Sequence, residues 1–308
     1  MQLLESPSRL QVDDILLIAQ FPPWADVAVP YALALAREHR ARMQVVHAMP
    51  THASQNVMHV PQGGAFRQAW REVVFNAGAR PSIIDDDTTA ARLDDMTGQH
   101  GFDLAIVSYG GTSGRSQGVV GKALEHVLDA TDCPVMVIGP AVDTERVPRS
   151  EPATIVHATD FSPQALAAAQ HAFSWSEEYQ SWITLLHVIE GIGAWTEHER
   201  ERLEEPFRHW LQELVPAELP IWCEVEYRIE FGRPADKIVA TAERLHADLI
   251  VIGLTGMDAL AQNRPGATAL QVISNAPCPV LVVRDYMKTT ATQPVADDHQ
   301  RGAAGIAA

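Results

Sequence analysis

Cysteine is nearly absent from this chain, with Cys133, Cys223 and Cys278 the three in 308 residues. So few, so far apart, exclude a disulfide framework, and without a CxxC pair there is no metal knuckle. They read as small buried hydrophobes. Basic residues are also short: 23 Lys and Arg against 39 Asp and Glu give a net charge of -16. A nucleic-acid surface needs clustered cations that release phosphate counterions, so that class is excluded and any anionic ligand must be held by a local site. No apolar run reaches the roughly 18 residues of a membrane span, and MQLLESPSRL has no basic and apolar leader. A cytoplasmic protein without membrane contact is the expectation. HExxH, a nucleophile elbow and SxxK are missing, and the 13 histidines form no ligand set. Neither catalytic residues nor a metal site is expected.

What is present is a duplication. Asp103-Leu104 matches Asp248-Leu249, Gly111 matches Gly256, Gly121 matches Gly266 and Cys133-Pro134-Val135 matches Cys278-Pro279-Val280, each pair 145 residues apart. Earlier, Ile15 matches Ile155 and His47 matches His187 at a separation of 140, so one small insertion distinguishes the copies. A repeat of half the chain is a whole domain, and 308 residues suit two. The expected division is 10–140, a linker at 141–153, 154–285, and a disordered tail at 286–308 without apolar periodicity.

In the second copy, buried-type runs at 154–158, 182–189, 222–229, 248–253 and 279–283 alternate with helical patterns. Ser162-Pro163 and Pro234 open two of the helices, and WTEHERERLEEPFRHWLQEL reads as a solvated charged one. Alternation of this kind predicts an α/β fold in which each copy forms a five-stranded doubly wound parallel sheet flanked by helices. The last strands, CPVMVIG and CPVLVVR, would be edges that need cover.

The segment GLTGMDALAQNRPGAT places Gly253 and Gly256 at a strand exit and Gly266 at a helix entrance. Ligands of open parallel sheets bind beyond the carboxyl ends of the strands, and glycine lets backbone N–H groups approach an anion. The helix after Gly266 would add unpaired donors and a partial positive charge. Three glycines also occur as turn, loop and helix-start residues without a ligand.

Gly-x2-Gly-x9-Gly preceded by DLIVIG and followed by NAPCPVLVV, together with IVHATDFS, LLHV and GRPADKIV, resembles the universal stress protein family. The resemblance covers the folded chain twice, the first copy more weakly. It implies a tandem universal stress protein with the adenine-nucleotide hydrolase-like fold, a stress-response regulator binding ATP, with magnesium as companion ion, or another adenine nucleotide. Asp160 would contact the adenosine portion, Ala158 and Thr159 would line that end, and the Val188 backbone would meet the adenine edge. Gly253, Gly256 and Gly266 would take the ribose and phosphates. Asp160 also suits a turn or helix cap, since ATDFSP is a good helix entrance.

The family has Ser or Thr after the third glycine; here Ala267 stands there, and Thr268 replaces its hydroxyl only if the helix start shifts. One lost neutral hydrogen bond costs about 0.5 to 1.5 kcal/mol, so weakened binding is expected. In the first copy the positions of Asp160, Gly253 and Ala267 hold Gln20, Ser108 and Lys122. That copy is expected to be degenerate, and its SQGVVGKA is not a P-loop. Arg264 and Asp258 in the second loop read as exposed charges, and no base stands ready for more than slow ATP hydrolysis. His47 and His187, at equivalent strand positions, suggest a repeated structural role. The rival reading is an interaction scaffold that binds no nucleotide. An ATP-using enzyme would need a motif such as SGGxDS after the first strand, which ATDFSP does not supply. In family dimers the last strand pairs with its twin, so residues 134–139 and 279–284 are expected to join the halves as an intramolecular pseudo-dimer. A further homodimer and a protein partner of unstated identity complete the expectations.

Overall fold

The computed structural model describes residues 10–19, 25–47, 80–81, 101–108, 124, 127–128, 131–142, 151–191, 196–217, 223–254 and 266–284. The first half contributes β1 (Asp14–Ala19), α1 (Ala25–His39), β2 (Arg42–His47), β3 (Arg80–Pro81), β4 (Leu104–Ser108) and β5 (Val135–Ile138). The second contributes β6 (Thr154–Ala158), α2 (Pro163–Tyr179), β7 (Trp182–Ile189), α3 (Glu197–Glu213) and β8 (Val225–Phe231). It continues with α4 (Pro234–Leu245), β9 (Leu249–Gly253), α5 (Ala267–Asn275) and β10 (Val280–Val283). The expected tail at 286–308 lies outside the described residues.

The strands form one ten-stranded sheet in the order β3-β2-β1-β4-β5-β10-β9-β6-β7-β8. Its pairs are parallel except the central one, where Val135, Met136 and Val137 run antiparallel to Val282, Leu281 and Val280. The sheet is therefore continuous across both halves. Only antiparallel pairing lets two like edges cover each other with the same residues of each.

Strand interiors are apolar on both faces because helices cover both. Ile155, Leu249 and Val251 join one buried layer with Ala168, Ala172 and Phe173 of α2, while Val156, Ile250 and Ile252 join the other with Ile238 and Ala242 of α4 and Val272 and Ile273 of α5. Cys133, Cys223 and Cys278 are buried and form no disulfide, as expected of small hydrophobes. β8 begins three residues later than its apolar run suggests and ends two later. Its extent is set by its partner: Val225 to Phe231 pair residue for residue with Ile183 to Ile189.

The helix entrances and exits follow local chemistry. Ser162 Oγ accepts a hydrogen bond from Ala165 N at 3.3 Å, with Pro163 at the first helical position. Thr196 and Glu199 form a reciprocal capping box that starts the charged helix α3. Gln180 and Arg40 end α2 and α1 in left-handed conformation, φ 53 and 54, at positions 140 apart. Gly139, just after β5, passes under α5: a Cβ built there would lie 2.2 Å from the carbonyl oxygen of Ile273. Among the described residues no helix is long and apolar enough to cross a membrane.

Candidate functional site

Three strand ends meet at the carboxyl edge of the second half. Ala158, the last residue of β6, is in register with Ile252 of β9 on one side and Leu186 of β7 on the other. Thr159 continues the ladder for one step, its N–H donating to Leu186 O at 2.9 Å. The chain then turns: Thr159 Oγ1 accepts from Phe161 N at 2.9 Å and Asp160 Oδ1 accepts from Ser162 N at 3.0 Å. Asp160 thus has the turn role that ATDFSP suggested, and its side chain stands exposed at the rim.

Phe161 holds φ 62, a left-handed conformation uncommon for a bulky residue. Contacts of its ring over-determine it: His187 lies at 4.9 Å and Trp210 of α3 at 5.4 Å between centroids. His187 donates from Nδ1 to Thr159 O at 2.8 Å and stacks on Phe207 at 4.3 Å. Burial pushes its pKa below the usual histidine value, against the opposing pull of the Thr159 carbonyl and Asp160, so the imidazole is neutral at pH 7. The histidine is a brace for the Thr159–Asp160 turn, the structural role expected of it; the side chain of His47 lies outside the described residues.

β7 runs on past the end of β6. Backbone polar groups alternate sides along a strand: Trp182 N and Leu186 O face β6, whereas Ile183 N and Ile189 O face β8. Val188 shares the phase of Leu186, so its N–H and C=O face the β6 side beyond the last residue of that strand. An adjacent donor and acceptor in this position suit the edge of a planar heterocycle.

The glycine segment begins beside this turn. β9 ends at Gly253, and Leu254 O accepts from Gly266 N at 3.0 Å, tying the strand exit to the helix entrance. Gly266 is the N-cap of α5, and no side chain among the described residues caps it. The first intrahelical bond runs from Leu270 N to Gly266 O, at 3.2 Å. The N–H groups of the exposed Ala267 and Thr268 therefore open the helix at the same edge as Asp160 and Val188. α5 begins directly at Ala267, without the shifted start through which Thr268 would replace the missing hydroxyl.

The two described glycines have different physical reasons. A Cβ built on Gly253 would lie 2.9 Å from both Ala165 N and the Gln164 carbonyl carbon. Glycine is required there by the close passage of α2, a packing role that the loop spacing did not reveal. Gly266 has φ -62 and ψ 144, which any residue adopts, so conformation does not demand a glycine. Gly256, Asp258 and Arg264 lie outside the described residues, as do Gln20 and Lys122 of the first half. Ser108, which occupies the position of Gly253 in that half, is buried, and its hydroxyl has no partner among the described residues.

A universal stress protein of Methanocaldococcus jannaschii is 35% identical to this chain over 142 residues, 44% of this chain and 83% of that one. The chain belongs to the universal stress protein family. The family profile matches residues 153–284, the half that carries the site. The crystal structure of a universal stress protein from Archaeoglobus fulgidus has a TM-score of 0.58 at 17% identity, covering 90% of this chain and 97% of its own, which shows the same fold over nearly the whole length. A universal stress protein has also been solved in complex with cAMP, similar over 43% of this chain and 97% of its own at 16% identity and a TM-score of 0.33.

Proposed function

We propose that this chain is a tandem universal stress protein of the cytoplasm, a stress-response regulator that binds ATP, with magnesium, or another adenine nucleotide in its second half. Residues 10–140 form the degenerate domain and 154–285 the binding one, paired through β5 and β10 as a pseudo-dimer. The observation that carries the binding reading is the uncapped start of α5, tied by Gly266 to Leu254 at the same sheet edge as Asp160 and the outward Val188 backbone. Phosphate suits the helix end, where unpaired N–H groups and the helix dipole favour an anion. The nucleoside suits the other end, where Ala158 and Thr159 line the wall, Asp160 accepts from donors and Val188 offers an edge. The role proposed is binding, with little or slow hydrolysis.

Ala267 favours a second reading, an interaction scaffold without nucleotide, because the first residue of α5 lacks the hydroxyl that the family supplies at that position. Calorimetric titration of the purified chain with ATP, ADP and AMP, beside Gly256→Val and Gly266→Val, separates the two. The nucleotide reading expects binding by wild type that both variants lose. No heat of binding from wild type with any of the three would leave the scaffold standing.

A further inference from the structure

The turn that carries Asp160 is held from outside its own segment. Phe161 keeps φ 62, a conformation that a bulky residue retains only where its surroundings over-determine it. The hydrogen bonds inside the turn engage the backbone at Phe161 N and Ser162 N and leave the ring to other contacts. Two of the three rings around it belong to α3: Phe207 lies nearly parallel at 6.2 Å and 17°, and Trp210 edge-on at 5.4 Å and 79°. The third is His187 of β7, which is itself stacked on Phe207 at 4.3 Å. Phe207 thus packs on both side chains that shape the turn, the ring of Phe161 and the imidazole that donates to Thr159 O.

α3 has little else to seat it. Among its described residues only Leu211 is buried, and Pro206 lacks the N–H that the helical ladder would use. Phe207, Trp210 and Leu211 share one face at i, i+3 and i+4 spacing, and Trp210 stays 41% exposed even so. The rings that dock the helix are therefore the rings that fix the turn. We infer that Phe207 and Trp210 are positioning residues for the nucleotide site: packed on Phe161, they keep the Thr159–Asp160 turn in its binding form, so that the docking of α3 and occupation of the site are coupled; this rests on the nucleotide reading given above. By reciprocity, whatever lifts α3 weakens nucleotide binding, and bound nucleotide tightens α3.

The test is Phe207→Leu in the full chain, which keeps an apolar residue on the sheet but no ring, beside Phe207→Tyr, which keeps the ring. Hydrogen exchange without ligand reads the turn through the amides of Phe161 and Ser162, and the whole fold through those of β9. Phe207→Leu is expected to exchange the two turn amides about tenfold faster with β9 unchanged and to bind ATP about tenfold more weakly, the worth of one aromatic contact. Phe207→Tyr restores both, and Trp210→Ala acts in the same direction. In a Phe161→Asn background, where the residue type accepts a left-handed backbone, Phe207→Leu has no further effect on ATP affinity. Turn amides as protected in Phe207→Leu as in wild type overturn the inference. So does a Phe207→Tyr no better than Phe207→Leu, or a loss of protection in β9 too, which would make Phe207 a support of the whole fold. Faster turn exchange with unchanged ATP affinity also overturns it and leaves the nucleotide site intact. Failure of wild type itself to bind ATP removes the nucleotide reading, and the coupling with it.

Discussion

His39 and Tyr179 stand 140 residues apart, at the same position of α1 and α2, and they touch. The imidazole Nε2 and the phenol Oη share a hydrogen bond, with the rings edge-on at 5.9 Å and 82°. Burial lowers the pKa of the histidine and raises that of the tyrosine, so both are neutral at pH 7. The ends of two helices from different halves are thereby bonded to each other, and the antiparallel β5–β10 pair joins the same halves within the sheet.

Tyr179→Phe removes only that hydrogen bond and is expected to cost about 1 kcal/mol, read as a lower urea midpoint at unchanged slope. Gly139→Val strikes the second joint, where the new Cβ meets the backbone of Ile273, and is expected to cost about 3 kcal/mol. An unchanged midpoint for Gly139→Val would mean that β5 and α5 do not approach each other as described.

Two carboxylates hold matching strand starts. Asp103 Oδ2 accepts from Asp13 N and Asp14 N at 2.8 and 2.9 Å, and Asp248 Oδ2 accepts from Ala153 N and Thr154 N at 3.0 and 3.2 Å. Each clamp secures the first strand of its half to the fourth. Asp248→Ala and Asp103→Ala are each expected to lower stability by about 2 kcal/mol, with Asn, which keeps an acceptor, costing less. Denaturant midpoints measure this, and unequal losses of several-fold between the two would show that the clamps are not equivalent.

Gly253 and Gly266 are expected to separate folding from binding. Gly253→Ala forces a methyl group against the backbone of Gln164 and Ala165 and costs about 2 kcal/mol with no ligand present. Gly266→Ala sits in a conformation open to any residue and changes stability by no more than about 0.5 kcal/mol, while it lowers nucleotide affinity. Thermal melts beside titrations decide it; a strongly destabilised Gly266→Ala would make that glycine a structural requirement too.

Acid is expected to destabilise the fold from below about pH 6.5. Burial lowers the pKa of His39, His157, His171 and His187 from the ordinary 6.5, that of His157 to about 4. Between those values the unfolded chain binds more protons than the folded one, so stability is complete above pH 6.5 and declines as pH falls through that range. His157 Nδ1 donates to Val251 O at 3.0 Å inside the sheet, and its Nε2 is buried without a partner among the described residues. His157→Leu should therefore flatten the decline between pH 6.5 and 4, measured as urea midpoints across pH; a curve parallel to wild type would exclude His157 as its source.

Much of the architecture was legible because it is written in local pattern. Apolar runs on both sides of Ala158 and Gly253 announced strands buried on two faces, and Ser162-Pro163 announced a helix entrance. The offsets of 140 and 145 residues placed the equivalent positions, and the Asp103 and Asp248 clamps repeat at those offsets. WTEHERERLEEPFRHWLQEL was legible as a charged helix, which the Thr196–Glu199 capping box opens. Gly253 was legible as important but not for its reason, because the helix backbone that excludes a side chain comes from residues 164 and 165, about ninety positions earlier. Phe207 carried no signal at all, since its packing on Phe161 and His187 is a property of surroundings and not of a residue type.

By itself, then, the order of residues determined the elements, their alternation, the doubling of the unit and the sheet edge at which a ligand site would lie. Those follow from backbone periodicity, capping chemistry and the burial demands of parallel strands, all set by near neighbours. Tertiary structure alone decided that His39 meets Tyr179, that α2 presses on Gly253, and that Gly139 passes against the backbone of Ile273. These depend on which distant surfaces come within van der Waals reach, a matter of three-dimensional packing that no local pattern encodes.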